Sequence, residues 1–395
     1  MDRGALTGLR VIDLGRVLAG PYATRVLADF GAEVIKVQSR KTATGAESNG
    51  SAYFRHWNRN KRSVTLDMSH PESRDLLLKL ISKCDILVEN FSSRVMANWE
   101  LDYEVLRSEN PGLIMLSMSA AGQTGPWKDL VAFGPTIQSL GGLSYLTSYS
   151  GDHPTGLSHS YGDIIAGLYG AIAVLVALEH RKVTGKGMLI DLSEYEALCT
   201  ALGPTLMDAS VNGSRIRPRG NHADHIPAAP YGCYRCKGED RWCVIAVFNE
   251  EEWQALCRLM GRPEWSREGR FSCLSRRRAH RDVLDRLLEE WTARFPAEEL
   301  VELLQRSGVP SGIVQGPEDL LEDPQLAARG FFSTSSSHDG RNIFVDAYPI
   351  RSRNWKKGPV NPAPQLGEDN DYVFRELLGL KEEEVSYYVT KGVIG

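Results

Sequence analysis

One acidic residue stands where a carboxylate can act as a nucleophile. Asp163 follows a glycine in His159-Ser-Tyr-Gly-Asp163 and opens a long run of apolar and small residues reaching Arg181. That pattern places it at the N-terminus of a helix. As an N-cap, its carboxylate accepts backbone N–H bonds and feels the positive helix end, which keeps it ionised at neutral pH. Capping alone accounts for an aspartate at such a place. A capping carboxylate with one oxygen facing a cleft is also an available nucleophile. Gly167 and Gly170, on the next turns, permit close approach of another backbone or a ligand.

Other clusters are less specific. Arg55, Arg59, Lys61 and Arg62 fall within eight residues, interleaved with Tyr53, Phe54, His56 and Trp57. Such a run is ordinarily a solvated face. The other reading is a site for an anionic ligand, with guanidinium forks for phosphate and a ring to stack on. The segment Asp13-Leu-Gly-Arg-Val-Leu-Ala-Gly-Pro21 has the form of a strand–turn–helix that can seat a phosphate. Gly15 and Gly20 lack the dinucleotide spacing, however, and Lys36-Val-Gln38 offers no acid for a ribose. Cys233-Tyr-Arg-Cys236 has no second pair and reads as strand, where residues three apart face opposite sides. His222-Ala-Asp-His225 lies in a Gly- and Pro-rich loop and reads as exposed. No metal site is expected.

These residues need a scaffold. Leu9–Leu14, Glu33–Val37, Asp85–Glu89 and Leu113–Ser117 are short apolar runs that read as strands. Tyr22–Phe30 and Ser69–Lys83 read as the helices between them. Alternating strands and helices imply an α/β fold with a parallel sheet covered on both faces. After an aperiodic stretch from Asn212 to Pro230, Tyr231–Phe248 reads as a hairpin. Glu250–Met260 and Arg281–Phe295 follow as amphipathic helices. A second, smaller α+β domain is therefore expected over about 215–325, with residues 1–210 before it and 326–395 after it. The tail shows a strand at Asn342–Val345 and a helix at Asp371–Leu380.

A chain of 395 residues has room for two or three domains. Its net charge of −4 provides no global basic field for nucleic acid. Seven scattered cysteines form no disulfide framework and suit a reducing cytosol. The apolar stretch Ile164–Leu178 falls short of a membrane span and reads as a buried helix. A cytoplasmic protein without membrane attachment is expected.

Several segments in order resemble the class III CoA transferases, which include formyl-CoA transferase and carnitine CoA-transferase. They are Leu6–Leu14, Ala19-Gly-Pro21, Leu27–Val37, Asn58–Ser63 with Leu66-Asp-Met68, and Asp85–Phe91. Gly162-Asp163 with its helix, Thr184–Ser193, Gly308-Val-Pro310 and Pro364–Glu368 complete the series. The resemblance implies a Rossmann-like large domain that the C-terminal tail rejoins, a small domain, and an interlocked dimer. It implies CoA transfer from an acyl-CoA donor, with succinyl-CoA one candidate, to a carboxylic acid. Asp163 then forms a mixed anhydride and, after thiolate attack, an aspartyl-CoA thioester. Backbone N–H groups serve the oxyanion, and the Gly220-Asn221-His222 loop stands where the family's glycine-rich loop covers the site.

For CoA, the resemblance assigns Leu18 and Ala19 to the pantetheine and thioester. It assigns Leu66, Asp67 and Met68 to the adenine side, and Asn90 and Phe91 to another contacting turn. Arg40 lies beside the family's nucleotide-binding arginine, with Ser39 at the aligned place. Asn98 replaces another family arginine, and Arg94 is the available substitute. Leu18 stands where formyl-CoA transferase has a glutamine, and Phe133 where many relatives have Tyr or His. Both make the acyl pocket less polar and favour a bulky or aromatic acid, as in the benzylsuccinate branch. The racemases of this fold use a histidine at the place of Phe133, and a phenylalanine cannot carry a proton. An acyl-CoA racemase or isomerase, and a structural subunit of a heteromeric transferase with a paralogous partner, are the alternatives.

Overall fold

The computed structural model describes residues 4–149, 153–218, 220–222, 225–336, 342–351 and 360–395. The chain divides into two compact units. Met1–Leu146, Pro154–Ile216 and Ala328–Gly395 form one; Thr147–His153 and Arg217–Ala327 form the other.

The first unit is built on β1 (Arg10–Asp13), β2 (Glu33–Gln38), β3 (Lys61–Thr65), β4 (Ile86–Glu89), β5 (Ile114–Ser119) and β6 (Met188–Ser193). Their order is β3-β2-β1-β4-β5-β6, with every neighbouring pair parallel. Strand alternation sends Val11, Val34, Ile86 and Ile114 into one core and Ile12, Ile35, Leu87 and Met115 into the other. Both faces are covered, so the strands read as near-continuous apolar runs. Helices Ala19–Asp29 and Tyr161–Thr184 supply the first cover. Helix Ser73–Ile81 supplies the second, together with the C-terminal Val373, Phe374, Val393 and Ile394.

The Tyr161–Thr184 helix runs well past the apolar stretch 164–178. By length and composition it could cross a membrane, and half of its apolar window is buried in protein. Its two glycines seat it on the core. A Cβ at Gly167 would lie 3.1 Å from the Ala19 carbonyl oxygen, and one at Gly170 2.9 Å from Leu116 Cδ2. The helix expected at Asp371–Leu380 winds instead as a π-helix, Tyr372–Leu377. The Leu378 N–H bonds the Val373 carbonyl five residues back.

Three members of the basic run, Arg59, Lys61 and Arg62, are engaged by acids of the chain itself, while Arg55 lies in the preceding helix Ala52–Trp57. Arg59 is 1% exposed and pairs with Asp29 at 2.6 Å and Asp346 at 2.7 Å. Lys61 is buried against Asp13 at 2.8 Å. Arg62 bonds Glu33 and Asp369 and lies 4.1 Å from the Tyr372 ring centre. The reason is topological. Arg59, Lys61 and Arg62 lead into and form β3, so their charges meet acids from β1, β2, the first helix and the C-terminal segment.

The second unit carries the antiparallel hairpin β7 (Tyr231–Arg235) and β8 (Trp242–Ala246), extended by β9 (Ser311–Ile313). Helices Glu250–Leu259, Arg281–Thr292 and Ala297–Arg306 pack Trp253, Leu256, Leu284, Leu288, Leu300 and Leu304 against Tyr234 and Ile245. Cys233 lies in β7, and Cys236 follows it as a buried free thiol.

Candidate active site

Asp163 is not the helix cap. The cap position is Ser160, and Asp163 is the third helical residue, because the helix begins at Tyr161. Its carboxylate is turned into protein and the residue is 8% exposed. Oδ2 is buried without a hydrogen-bond partner. Burial pushes the group up to about 6, against a lowering hydrogen bond from its own backbone N–H. The expected lowering by the helix end is therefore overturned by desolvation. The group still ionises below neutral pH.

The seat of this carboxylate is a glycine that sequence reasoning missed. Gly134 opens the helix Gly134–Leu140 and is capped by Phe133. A Cβ at Gly134 would lie 2.4 Å from Asp163 Oδ2 and 2.3 Å from Ser160 Cβ. Only a residue without a side chain leaves room for the carboxylate there. Phe133 itself is 65% exposed. Ile137, one turn along, meets Gly162, where a Cβ would be 2.9 Å from its Cγ2. The Asp163 charge also acts on Tyr53, whose hydroxyl burial pushes up to about 12 with help from Asp163 and Glu47.

The turn after β1 is held by buried charges. Asp13 Oδ1 accepts from the Gly15 N–H at 2.8 Å, and Oδ2 accepts from Thr24 at 2.7 Å and Lys61 at 2.8 Å. Lys36 lies 3.7 Å from Asp13 and donates to the Gly15 carbonyl. Burial alone would raise Asp13, but Lys36 and Lys61 outweigh it and hold the group low. Burial brings Lys61 down to about 8. Two lysines thus stand under the turn against Asp13 and the buried Glu47, whose charge also acts on Lys61. Above it, Val17 sits at φ 61° and donates its N–H to Glu47 Oε1 at 2.7 Å. A β-branched residue in this region costs roughly 1–3 kcal/mol, so the turn is held rather than relaxed.

A cleft of about 350 Å³ opens beside this turn. Its walls come from just beyond four strand ends: Arg16 after β1, Ser39 and Lys41 after β2, Leu66–Ser69 after β3, and Phe91 after β4. Ligands of parallel sheets bind outside the carboxyl ends of strands, where the strand order reverses, here between β1 and β4. Basic Arg16 and Lys41 share the cleft with apolar Met68, Phe91, Val95 and Trp99. That mixture fits a phosphorylated ligand carrying a ring.

The structure brings some expected residues to this cleft and not others. Leu66, Asp67, Met68 and Phe91 line it, with Asp67 ion-paired to Lys41 at 2.7 Å. Arg40 is exposed and is not among its walls, whereas Ser39 and Lys41 are. Arg94 pairs with Asp129 at 3.5 Å outside the cleft wall. Asn90 holds the β1 turn: its Oδ1 accepts from the Arg16 N–H at 2.6 Å and its Nδ2 donates to the Arg16 carbonyl at 2.9 Å. Leu18 and Ala19 are buried at the start of the first helix. In the smaller unit, Gly220 has φ 59° and meets the Tyr149 ring, and His222 lies 3.8 Å from Asp285.

The strand order and the cleft at its carboxyl edge define a doubly wound α/β protein. Residues 6–370 match the model of CoA-transferase family III, and the chain belongs to that family. It is an enzyme of the CoA-transferase kind. It is 35% identical to the succinyl-CoA–L-malate CoA-transferase alpha subunit of Chloroflexus aurantiacus, over 98% of this chain and 92% of that one. It is 33% identical to the succinyl-CoA:mesaconate CoA-transferase of Haloarcula hispanica, over 92% and 94%. A crystal structure of a CAIB/BAIF family protein from Brucella suis superposes with a TM-score of 0.88. That match has 32% identity and covers 95% of this chain and all of the other.

Proposed function

We propose that the enzyme moves CoA from succinyl-CoA to a short dicarboxylic acid, with Asp163 as the nucleophile. The observation that carries this reading is the buried Asp163 carboxylate, seated on Gly134 with one oxygen lacking a donor. A desolvated anion is a stronger nucleophile than a hydrated one. Attack on the acyl carbonyl forms the Asp163–acyl bond, and the carbon–sulfur bond breaks with its electron pair on sulfur. The thiolate then attacks the Asp163 carbonyl, the anhydride C–O bond breaks with its electron pair on the departing carboxylate, and an aspartyl-CoA thioester remains. An acceptor carboxylate reverses the two steps. The mixed cleft supports binding of the CoA nucleotide: Lys41 and Arg16 face phosphate, and Met68, Phe91 and Trp99 face the base. Leu18, Ala19 and Asn90 then shape the turn along which the pantetheine runs, while Arg40 and Arg94 act at its rim.

The donor and the acceptor class follow the names of the relatives. The exposed Phe133 ring, next to Gly134, favours an aryl-substituted succinate as the second acceptor. A dimer is part of the reading. Leu168, Ile172, Val176 and Val183 form an exposed apolar stripe on the Tyr161–Thr184 helix. A second copy, or a paralogous chain as the word "subunit" in one relative's name implies, would cover it. Seven free thiols fit a cytoplasmic enzyme.

The test is incubation with succinyl-CoA and then with L-malate or benzylsuccinate. Mass spectrometry of the Asp163 peptide should show a CoA adduct. Undiminished transfer by Asp163→Asn would refute the nucleophile. Deuterium uptake at the α-carbon without acyl exchange would favour the isomerase instead.

A further inference from the structure

Four strand ends supply the walls of the cleft, and one buried acid ties two of them together. Glu47 ends the short turn Gly45–Glu47 and is 5% exposed, although Thr44, Gly45 and Ala46 before it face solvent. It lines the cleft. Its main chain is anchored: Gln38, at the end of β2, donates from Nε2 to the Glu47 carbonyl at 3.2 Å, and the Gln38 carbonyl accepts from the Leu66 N–H at 2.7 Å. The Glu47 carboxyl reaches the turn after β1, where Oε1 accepts from the Val17 N–H at 2.7 Å. That turn is fixed on either side of Val17. Asn90 holds both polar groups of the Arg16 backbone, and the Leu18 carbonyl accepts from the Tyr22 N–H at 2.8 Å, the first bond of the helix Ala19–Asp29. Val17 is the joint between them, at φ 61°. A β-branched side chain crowds its own backbone there, so the left-handed form needs an outside hold.

We propose that Glu47 is a positioning residue for the CoA thioester: by holding the Val17 N–H it keeps the turn after β1 left-handed and sets the gap between the cleft wall at Arg16 and the wall at Ser39 and Lys41. The inference rests on the reading of this cleft as the CoA site. Leu66, Gln38, Glu47 and Val17 are bonded in series, so the walls after β3, β2 and β1 keep one spacing. Loss of the Glu47 acceptor frees Val17 to return to a negative φ. That rotation turns the peptide leading into Leu18 and Ala19, along which the pantetheine runs. Glu47 acts through Val17 rather than on the reacting atoms.

The test measures CoA affinity by titration calorimetry in Glu47→Ala, in Glu47→Gln and in Glu47→Ala combined with Val17→Gly, with Lys41→Ala as the reference. Glu47→Ala removes the acceptor and should weaken CoA binding about tenfold. Glu47→Gln keeps an acceptor oxygen at the same reach and should stay within about threefold of wild type. Glycine takes a positive φ at no steric cost, so in the Val17→Gly background Glu47→Ala should cost less than about threefold. Amide hydrogen exchange in the segment Gly15–Tyr22 should quicken in Glu47→Ala and not in Glu47→Gln. Wild-type affinity or unchanged exchange in Glu47→Ala overturns the proposal. So does a loss in Glu47→Gln equal to that in Glu47→Ala, or a tenfold loss that persists in the Val17→Gly background. If Lys41→Ala and Glu47→Ala both bind CoA as wild type does, the cleft is not the CoA site and that reading fails. Weakened binding in Lys41→Ala alone confines the failure to Glu47.

Discussion

Gly134→Ala adds one methyl group at the point where the chain touches the nucleophile. The new Cβ would stand 2.4 Å from Asp163 Oδ2, 2.3 Å from Ser160 Cβ and 2.1 Å from Ser160 Oγ. A hydroxyl can rotate away, but a Cβ next to the helix backbone cannot. Ordinary contact needs about 1 Å more, so the Asp163 helix and the Gly134 helix must part by roughly that amount. Overpacking of this kind costs about 1–3 kcal/mol. A nucleophile displaced by about 1 Å loses on the order of 100-fold in rate. The backbone at Gly134 has no positive φ, so alanine meets no conformational strain there. Chain entropy alone would then predict a gain of roughly 0.4–1 kcal/mol. The two accounts differ in sign. Steady-state kinetics and thermal unfolding of Gly134→Ala should show kcat down about 100-fold and Tm down by roughly 2–6 °C. A fully active variant with a raised Tm would refute the placement of Gly134 against Asp163.

Other outcomes follow from the buried charges. Asp163→Asn should abolish transfer yet raise Tm at neutral pH. The folded state holds the Asp163 proton up to about 6 rather than 3.8, so stability declines as pH rises through that window. The cost above it is about 3 kcal/mol, which asparagine recovers in part; a lowered Tm at neutral pH would contradict this. Wild-type kcat should fall as pH drops through about 6, because the protonated acid is no nucleophile. Lys61→Met leaves Asp13 with Lys36 alone at 3.7 Å and should cost about 3–5 kcal/mol, read as a lower Tm. Lys41→Ala should weaken acyl-CoA binding about threefold to tenfold, with the difference shrinking in high salt and kcat little changed; titration calorimetry measures it.

The scaffold was largely legible in the sequence because it rests on local patterns. Apolar runs such as Arg10–Asp13 and Ile86–Glu89 are strands whichever way the chain turns, since both sheet faces are covered. The hairpin at Tyr231–Ala246 carries its own turn residues. The charged segment 55–62 was not legible. A run of arginines and lysines looks the same on a solvated face and inside, and its partners Asp13, Asp29 and Asp346 come from distant parts of the chain. Arg59 and Asp346 are separated by 287 residues.

The same division runs through the candidate site. Sequence by itself determined that Asp163 begins a helix of small and apolar residues, and it placed Phe91 just after a strand; the strand Lys61–Thr65 that precedes Leu66–Met68 was hidden in the charged run. Those facts depend on neighbours along the chain. Tertiary structure alone decided that the helix starts at Tyr161 with Ser160 as its cap, and that Gly134 seats the carboxylate. Burial, which raises the carboxyl to about 6, is a property of what surrounds it in space. No spacing between residues 134 and 163 encodes that contact, because it forms only when two helix ends converge.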